Sequence, residues 1–532
     1  MSLYGECLRK YIEESGMSVS RLAKETGFNR TLLQKYLSGD RLPKTVQESC
    51  QLAEALMLSP EKQEELLEQY NRSRYGIRQY DGFLMIRDIV RGLVDYRMQS
   101  AYVRESARQS VSPISGEVAG GSGARTAEGA MDALSAREPS LAGFTGSRVC
   151  TGSMEVENAL RAMLRAQVAS DGSQSSDAQS GAAPVDVSQL CDKGKIQIIS
   201  QPEAGSLLKT VLSVCAGHDV KVEQIVCLDG DSQEGNNNIR TVYNLIPMLF
   251  GSVDYESFYY YDKKDAHINS MSLLPILILT DTAAMVCSYR MDEGLLFTNE
   301  ESVRFCRSQY QRIKSRTSPL TRRFRDDITE WSTFMRTFMT DLVVAEIYIN
   351  PTPCITYGLD EEILSEVLCL GEEGNQYLLD IFARNKDTFL GASNKKTSIN
   401  LFEEAGLRRF METGRSDEYP SGWYTPIPVP SRLRILEGMI ALAETGHMRY
   451  IMTNPDRLPL DPDLLIYVGE SVVFQYHQDS HLSSYFTVNE HGVRRSFREF
   501  IPFAQENGWI STGAETIRRM KELLEEYAKK WQ

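Results

Sequence analysis

Residues 19–39, VSRLAKETGFNRTLLQKYLSG, constrain this chain most tightly, because each part of the stretch favours the same local geometry. Val19, Leu22 and Ala23 recur at helical spacing, and Gly27 supplies the left-handed residue that ends a helix without a Cβ clash. Phe28 is placed to fill the turn that follows. Asn29 is placed to cap a second helix through its side-chain oxygen, and Leu32, Leu33 and Tyr36 return an apolar stripe to the core. Ser38-Gly39 closes that helix. Leu8, Tyr11 and Ile12 mark an amphipathic helix before the pair. Pro43, Val46, Leu52, Ala53, Ala55 and Leu56 mark one after it, ending before Ser59-Pro60. The expected product is an all-α domain of five small helices over residues 1–70.

With small Ala23, turn Gly27, apolar Leu33, then SGDRLPK and LAEAL, residues 3–70 resemble the lambda-repressor-like (XRE/Cro-type) helix-turn-helix transcriptional regulators. The resemblance implies that Asn29 to Leu37 form a recognition helix entering the major groove of a double-stranded DNA operator. Its groove-facing set is then Asn29, Arg30, Thr31, Gln34 and Lys35. Arg30 suits a bidentate contact to guanine, Thr31 a thymine methyl or phosphate, and Gln34 or Lys35 a base edge or the backbone. Val19 stands where many members of the family carry a phosphate-binding glutamine, and Arg21, Lys24, Arg41 and Lys44 are the cations available to replace that anchor.

The chain has 532 residues and a formal net charge of −14, too long for a bare DNA-binding module and too acidic to coat nucleic acid. The charge is partitioned, since residues 18–45 hold six Lys or Arg against two Asp or Glu. Ten scattered cysteines form no CxxC pair, which points to a reducing compartment. No apolar run reaches the length of a membrane span and the N-terminus lacks a signal-peptide core, so a soluble, cytoplasmic protein with no membrane partner is expected. Residues 71–103 read as a helical extension with more apolar positions (Leu84, Ile86, Ile89, Val90, Leu93) than a solitary helix carries. Its partner is the N-terminal domain, the C-terminal region or, in a homodimer, a second chain. Residues 104–187, rich in Ser, Gly and Ala, read as a flexible linker in which 154–169 has helical spacing, either a fraying helix or one that docks transiently.

From 188 onward the pattern is α/β, divided into 188–320 and 321–532. Strands are expected at 196–199, 221–228, 258–261, 274–280 and 283–289, and helices at 205–215, 300–313 and 514–530. ILTDTAAMVCSY (278–289) with LLFTNEESVRF (295–305) overlays LIYVGESVVFQY (465–476) with SYFTVNEHGVRRSF (484–497), the pattern of an internal duplication. This unit weakly resembles phospholipase-D-like effector domains. The His-x-Lys-x-x-x-x-Asp of the catalytic members is absent from both halves, so the resemblance carries no catalysis. Phosphate-loop and nucleophile-elbow motifs are also missing. His477 and His481 stand four apart, as two zinc ligands on a helix would, but Gln478 takes the place of the catalytic Glu and the segment reads as a strand exit; Asp229–Gly235 begins like a calcium loop, yet its Gly comes one place late and Arg240 stands where the bidentate Glu should be. No catalytic residue, metal or cofactor is assigned. Tyr255 and Phe258 to Tyr261 are either a core strand or a pocket wall, and the cations from Arg307 to Arg325 are either a solvated face or a seat for an anionic effector. The expected function is sequence-specific transcriptional regulation, with an α/β region that senses a small molecule or mediates assembly. The rivals are an enzyme or toxin-like effector that autoregulates its operator, and a purely architectural protein.

Overall fold

The computed structural model of the chain describes residues 2–92, 146–173, 194–204, 206–230, 237–251, 253–262, 274–324, 343, 345–393, 397–418, 422–479 and 482–531. Five short helices open it: α1 (Leu3–Ser15), α2 (Val19–Thr26), α3 (Arg30–Ser38), α4 (Val46–Ala55) and α5 (Pro60–Tyr75). Side-chain caps start four of them: Ser2, Ser18, Asn29 and Thr45 each accept a backbone N–H of the first turn. Gly27 ends α2 at φ 73°, the left-handed conformation anticipated for it. Tyr4, Leu8, Tyr11, Leu22, Leu33, Tyr36, Leu52 and Leu66 close around one another as a separate small core. Replacing Asn29 by Ala removes the bond from Thr31 N–H to Oδ1 (2.8 Å) and costs about 1 kcal/mol. Amide exchange within α3 should quicken about fivefold while Asn29→Asp restores it, and unchanged exchange would contradict the capping role.

Helix α6 (Ile77–Val90) is the over-apolar extension, and its partner is this same chain. Phe83 stacks on Phe503 at 4.4 Å and Tyr75 meets Phe503 edge-on at 5.4 Å. The segment therefore serves as an internal dock, its partner being the C-terminal region, one of the three weighed for it. At its end Gly92 (φ 79°) lies so close to Asp461 that an added Cβ would stand 1.5 Å from the carboxylate, while Asp461 N–H donates to the Val90 carbonyl. Residues 93–103 fall outside the described residues.

The linker expectation is corrected between 146 and 173. Strand β1 (Ser147–Thr151) pairs antiparallel with β7 (Glu293–Phe297), and α7 (Ser153–Ser173) buries Val156, Leu160, Met163 and Leu164 in the largest core. The helix is held by tertiary packing that its small-residue surroundings conceal. The remainder of 104–187 falls outside the described residues.

After β1 and α7 come β2 (Lys195–Ile199), α8 (Leu207–Cys215), β3 (Lys221–Asp229), α9 (Asn237–Phe250), β4 (Asp254–Asp262), β5 (Ile276–Leu279), β6 (Ala284–Cys287), β7 and α10 (Glu300–Lys314). The chain then continues through β8 (Ser318–Phe324), β9 (Ile347–Ile349), α11 (Glu361–Val367), α12 (Glu372–Ser393), β10 (Ser398–Phe402), α13 (Glu404–Thr413), α14 (Val429–Glu444) and β11 (Met448–Met452). It closes with β12 (Leu464–Val468), β13 (Val472–Asp479), β14 (Leu482–Val488), α15 (His491–Glu506) and α16 (Gly513–Trp531). All the strands join one fourteen-stranded sheet of order β1-β7-β6-β5-β2-β3-β4-β8-β14-β13-β12-β9-β10-β11.

That order is the same seven-strand arrangement twice. In each copy three parallel strands (β2-β3-β4, β9-β10-β11) adjoin an antiparallel meander (β5-β6-β7, β12-β13-β14), and a first strand (β1, β8) borders the meander's last. The copies meet where β8 runs antiparallel to β4, with buried Ser257 and Thr321 hydroxyls 2.7 Å apart. The division thus falls between α10 and β8, and the first copy begins at β1. Because the seam is antiparallel, the second copy is turned over. Its last helix α15 shares a face with the first copy's α8 and α9, while α11 to α14 and α16 cover the opposite face. The caps of the two matching helices differ by a residue. Asn299 caps α10, but in the second copy Glu490, not Asn489, caps α15, accepting from Val493 N–H at 2.7 Å.

Candidate nucleic-acid interface and ligand cavity

All nine residues of the expected DNA-facing set, Arg21, Lys24, Asn29, Arg30, Thr31, Gln34, Lys35, Arg41 and Lys44, are exposed. Their availability differs. Arg21 pairs with Glu25 at 2.9 Å, and the Asn29 oxygen is occupied by its own helix, leaving only its amide N–H groups for another partner. Among the described residues Lys24, Arg30, Lys35, Arg41 and Lys44 stand in no ion pair, so one cationic edge runs from α3 into the loop before α4.

The five-helix domain is seated through α5. Tyr75 Oη donates to Glu506 at 2.6 Å, Arg74 pairs with Glu506 at 2.9 Å, Asn71 donates to Asn507 at 2.9 Å and Arg457 reaches Glu64 at 3.2 Å. Arg74 also donates to the Lys44 carbonyl at 2.7 Å, so one guanidinium ties the loop beside α3 to the end of α15.

The second copy holds a cavity of about 200 Å³ lined by residues including Tyr348, Tyr357, Phe382, Trp423, Tyr467 and Tyr485. It exists because the crossover from β9 to β10 is enlarged. Where the first copy passes from β2 to β3 through α8, the second inserts a 3-10 turn (Thr356–Gly358), α11 and α12. Tyr357 stacks on Phe389 at 3.7 Å, which fixes α12 over the turn. Tyr377, 58% exposed, stands on α12 at the lining's edge.

Glu418 is set into this aromatic wall. Its carboxylate accepts from Ile355 N–H at 3.1 Å, Thr356 Oγ1 at 3.2 Å and Asn350 Nδ2 at 3.4 Å. Burial pushes its pKa from 4.5 up to about 7; bonds from Cys354, Ile355 N–H and Thr356 oppose the rise and the neighbouring Asp417 charge adds to it. The loop is braced from behind, where Asp417 accepts from Thr352 Oγ1 at 2.7 Å and pairs with Arg409. Among the described residues the lining contains no Lys, Arg or His, and no cation pairs with Glu418.

Glu418 carried no signal in the sequence, where SDEYPSGW reads as a surface turn. The aromatic strand resolves as core in part: Tyr255 is fully buried and donates to Gln224 at 2.8 Å, whereas Tyr261, half exposed, donates to Glu490 at the seam between the copies. The cations from 307 to 325 are dispersed by the fold. Arg307 donates to the Thr280 carbonyl, Lys314 pairs with buried Glu223 at 2.5 Å and Arg323 donates to Gly251 and Val253 carbonyls, while Arg325 falls outside the described residues. An anionic effector therefore finds no assembled seat among these three. His218 lies in an exposed turn and His477 on β13, while His481 falls outside the described residues. No group of three metal-ligating side chains occurs among the described residues, and no described helix is long and apolar enough to cross a membrane.

No protein-family model matches the chain, and no curated protein matches it. Among solved structures, a phosphatidylserine synthase of Haemophilus influenzae is similar over 72% of this chain and 93% of that one, at 10% identity and a TM-score of 0.21. A likeness at that score carries no argument about fold or activity.

Proposed function

We propose that this chain is a sequence-specific DNA-binding transcriptional regulator whose duplicated α/β region takes up a small effector. The observation that carries the proposal is the cationic face of α3, left open to solvent while the remainder of its domain is docked through α5 and α6. In this reading Arg30, Thr31, Gln34 and Lys35 read base edges, and Lys24, Arg41 and Lys44 neutralise phosphates. The chain works without catalysis of its own, in keeping with the missing histidine–lysine spacing. Free cysteines at nine described positions suit a reducing cytoplasm. One recognition helix spans too few base pairs for genomic selectivity, so the protein acts as a homodimer on two half-sites about one helical turn apart, through a surface other than buried α6.

Control follows from linkage. Strands β12 to β14 alternate, with Tyr467 and Tyr485 toward the cavity and Val468 and Phe486 toward α15, on which α6 rests. An effector that prefers one packing of these strands shifts operator affinity by its differential binding to the two states.

Selection from a random duplex library with the full chain should enrich one two-fold-related motif. Arg30→Ala should then lose about 1–3 kcal/mol on the selected site, whereas Lys44→Ala weakens all duplexes alike and lowers the salt dependence. Failure to enrich any motif at low and moderate salt would sink the proposal.

A further inference from the structure

The aromatic cavity of the second copy, with one carboxylate in its wall, is unclaimed by DNA recognition, and its chemistry is specific. An apolar cavity of about 150 Å³ holds benzene, so the roughly 200 Å³ here admits one aromatic ring carrying a short polar chain. Three donors, Ile355 N–H, Thr356 Oγ1 and Asn350 Nδ2, point at Glu418 and work against the protonation that its burial favours, and a cation beside it would tip the group fully to the carboxylate. A ligand that completes this set therefore brings positive charge. The walls agree, since Tyr348, Tyr357, Trp423 and Tyr485 line the cavity and aromatic rings attract a desolvated cation through their quadrupoles. A ligand carboxylate or phosphate would instead meet Glu418 with no lysine, arginine or histidine in the described lining to offset it.

We propose that this cavity binds a small organic ammonium compound with an aromatic body, its amine on Glu418 and its ring among the tyrosines. The effector role of such an amine rests on the regulator reading, but its binding does not, so binding is measured on the full chain without DNA.

Titration calorimetry with phenethylamine should give saturable one-site binding. Phenethyl alcohol, phenylpropionate and phenylalanine, which lack the cation or add an anion, should bind at least about tenfold more weakly, the worth of one charge-assisted bond. Glu418→Gln, nearly isosteric, should lose a similar factor for phenethylamine alone. Tyr377→Ala, at the exposed edge where truncation spares the core, should weaken phenethylamine severalfold and provides a folded variant should the first misfold. The assignment is overturned by the absence of saturable phenethylamine binding at millimolar concentration, by phenylalanine or the alcohol binding as tightly, or by affinity indifferent to both substitutions. If amine binding holds and operator affinity ignores the amine, the site stands and only its effector role falls.

Discussion

Replacing Phe83 by Ala is expected to cost about 3–5 kcal/mol, the range for truncating a buried aromatic, and to loosen the attachment of the N-terminal domain. Phe83 is 1% exposed and sits within a ring cluster, stacked on Phe503 at 4.4 Å, edge-on to Tyr75 at 5.6 Å and tilted against Phe500 at 6.5 Å. Trp509 meets Phe503 from another side at 5.1 Å, so the emptied volume cannot be refilled by a small shift of any one ring. The loss falls on the contact between α6 and α15. Hydrogen exchange in residues 77–90 should accelerate more than about a hundredfold while the small core of α1 to α5 keeps its protection. Protection of α6 equal to that of the parent chain would show that the ring cluster is not what holds the dock.

A second large effect is expected from pH. Glu418 has its pKa raised from 4.5 to about 7, chiefly by burial, with Asp417 adding to the rise and the donors from residues 354, 355 and 356 opposing it. Between those two values the folded chain holds a proton that the unfolded chain has released. Stability from this group is thus fully present below pH 4.5 and is lost as pH rises through 7, by about 3 kcal/mol in total. Glu223 runs the other way. Desolvation raises it, but Lys314 and Lys195 outweigh that and lower its pKa, so its contribution is lost as pH falls below the ordinary carboxylate range. Urea unfolding of the parent and of Glu418→Gln, compared from pH 4.5 to 8, separates the two, because the Glu223 slope cancels in the difference. The Gln variant should gain on the parent by about 3 kcal/mol across that range, and a difference flat in pH would remove the strained carboxyl from the account.

The sequence by itself determined what depends on neighbours a few residues away. The caps at Ser18 and Asn29, the left-handed Gly27 and the stripe Leu32, Leu33 and Tyr36 are local, and α2 and α3 follow them closely. The strands at 195–199 and 221–229 and the hairpins on either side of Asp281 and Gly469 were legible for the same reason, since two-residue alternation and turn chemistry act within one segment. The overlay of 278–305 on 465–497 also disclosed two similar meanders. The inversion of one against the other was decided only by the antiparallel seam of β4 and β8, and no residue pattern carries that pairing. Tertiary structure likewise decided the fate of α6 and α7, whose apolar faces are covered by partners hundreds of residues away or on another layer. Glu418 is the clearest case. A carboxylate after a turn reads as solvated, and only the closure of α12, the Tyr357–Phe389 stack and the sheet around it set that position into the wall of an aromatic cavity.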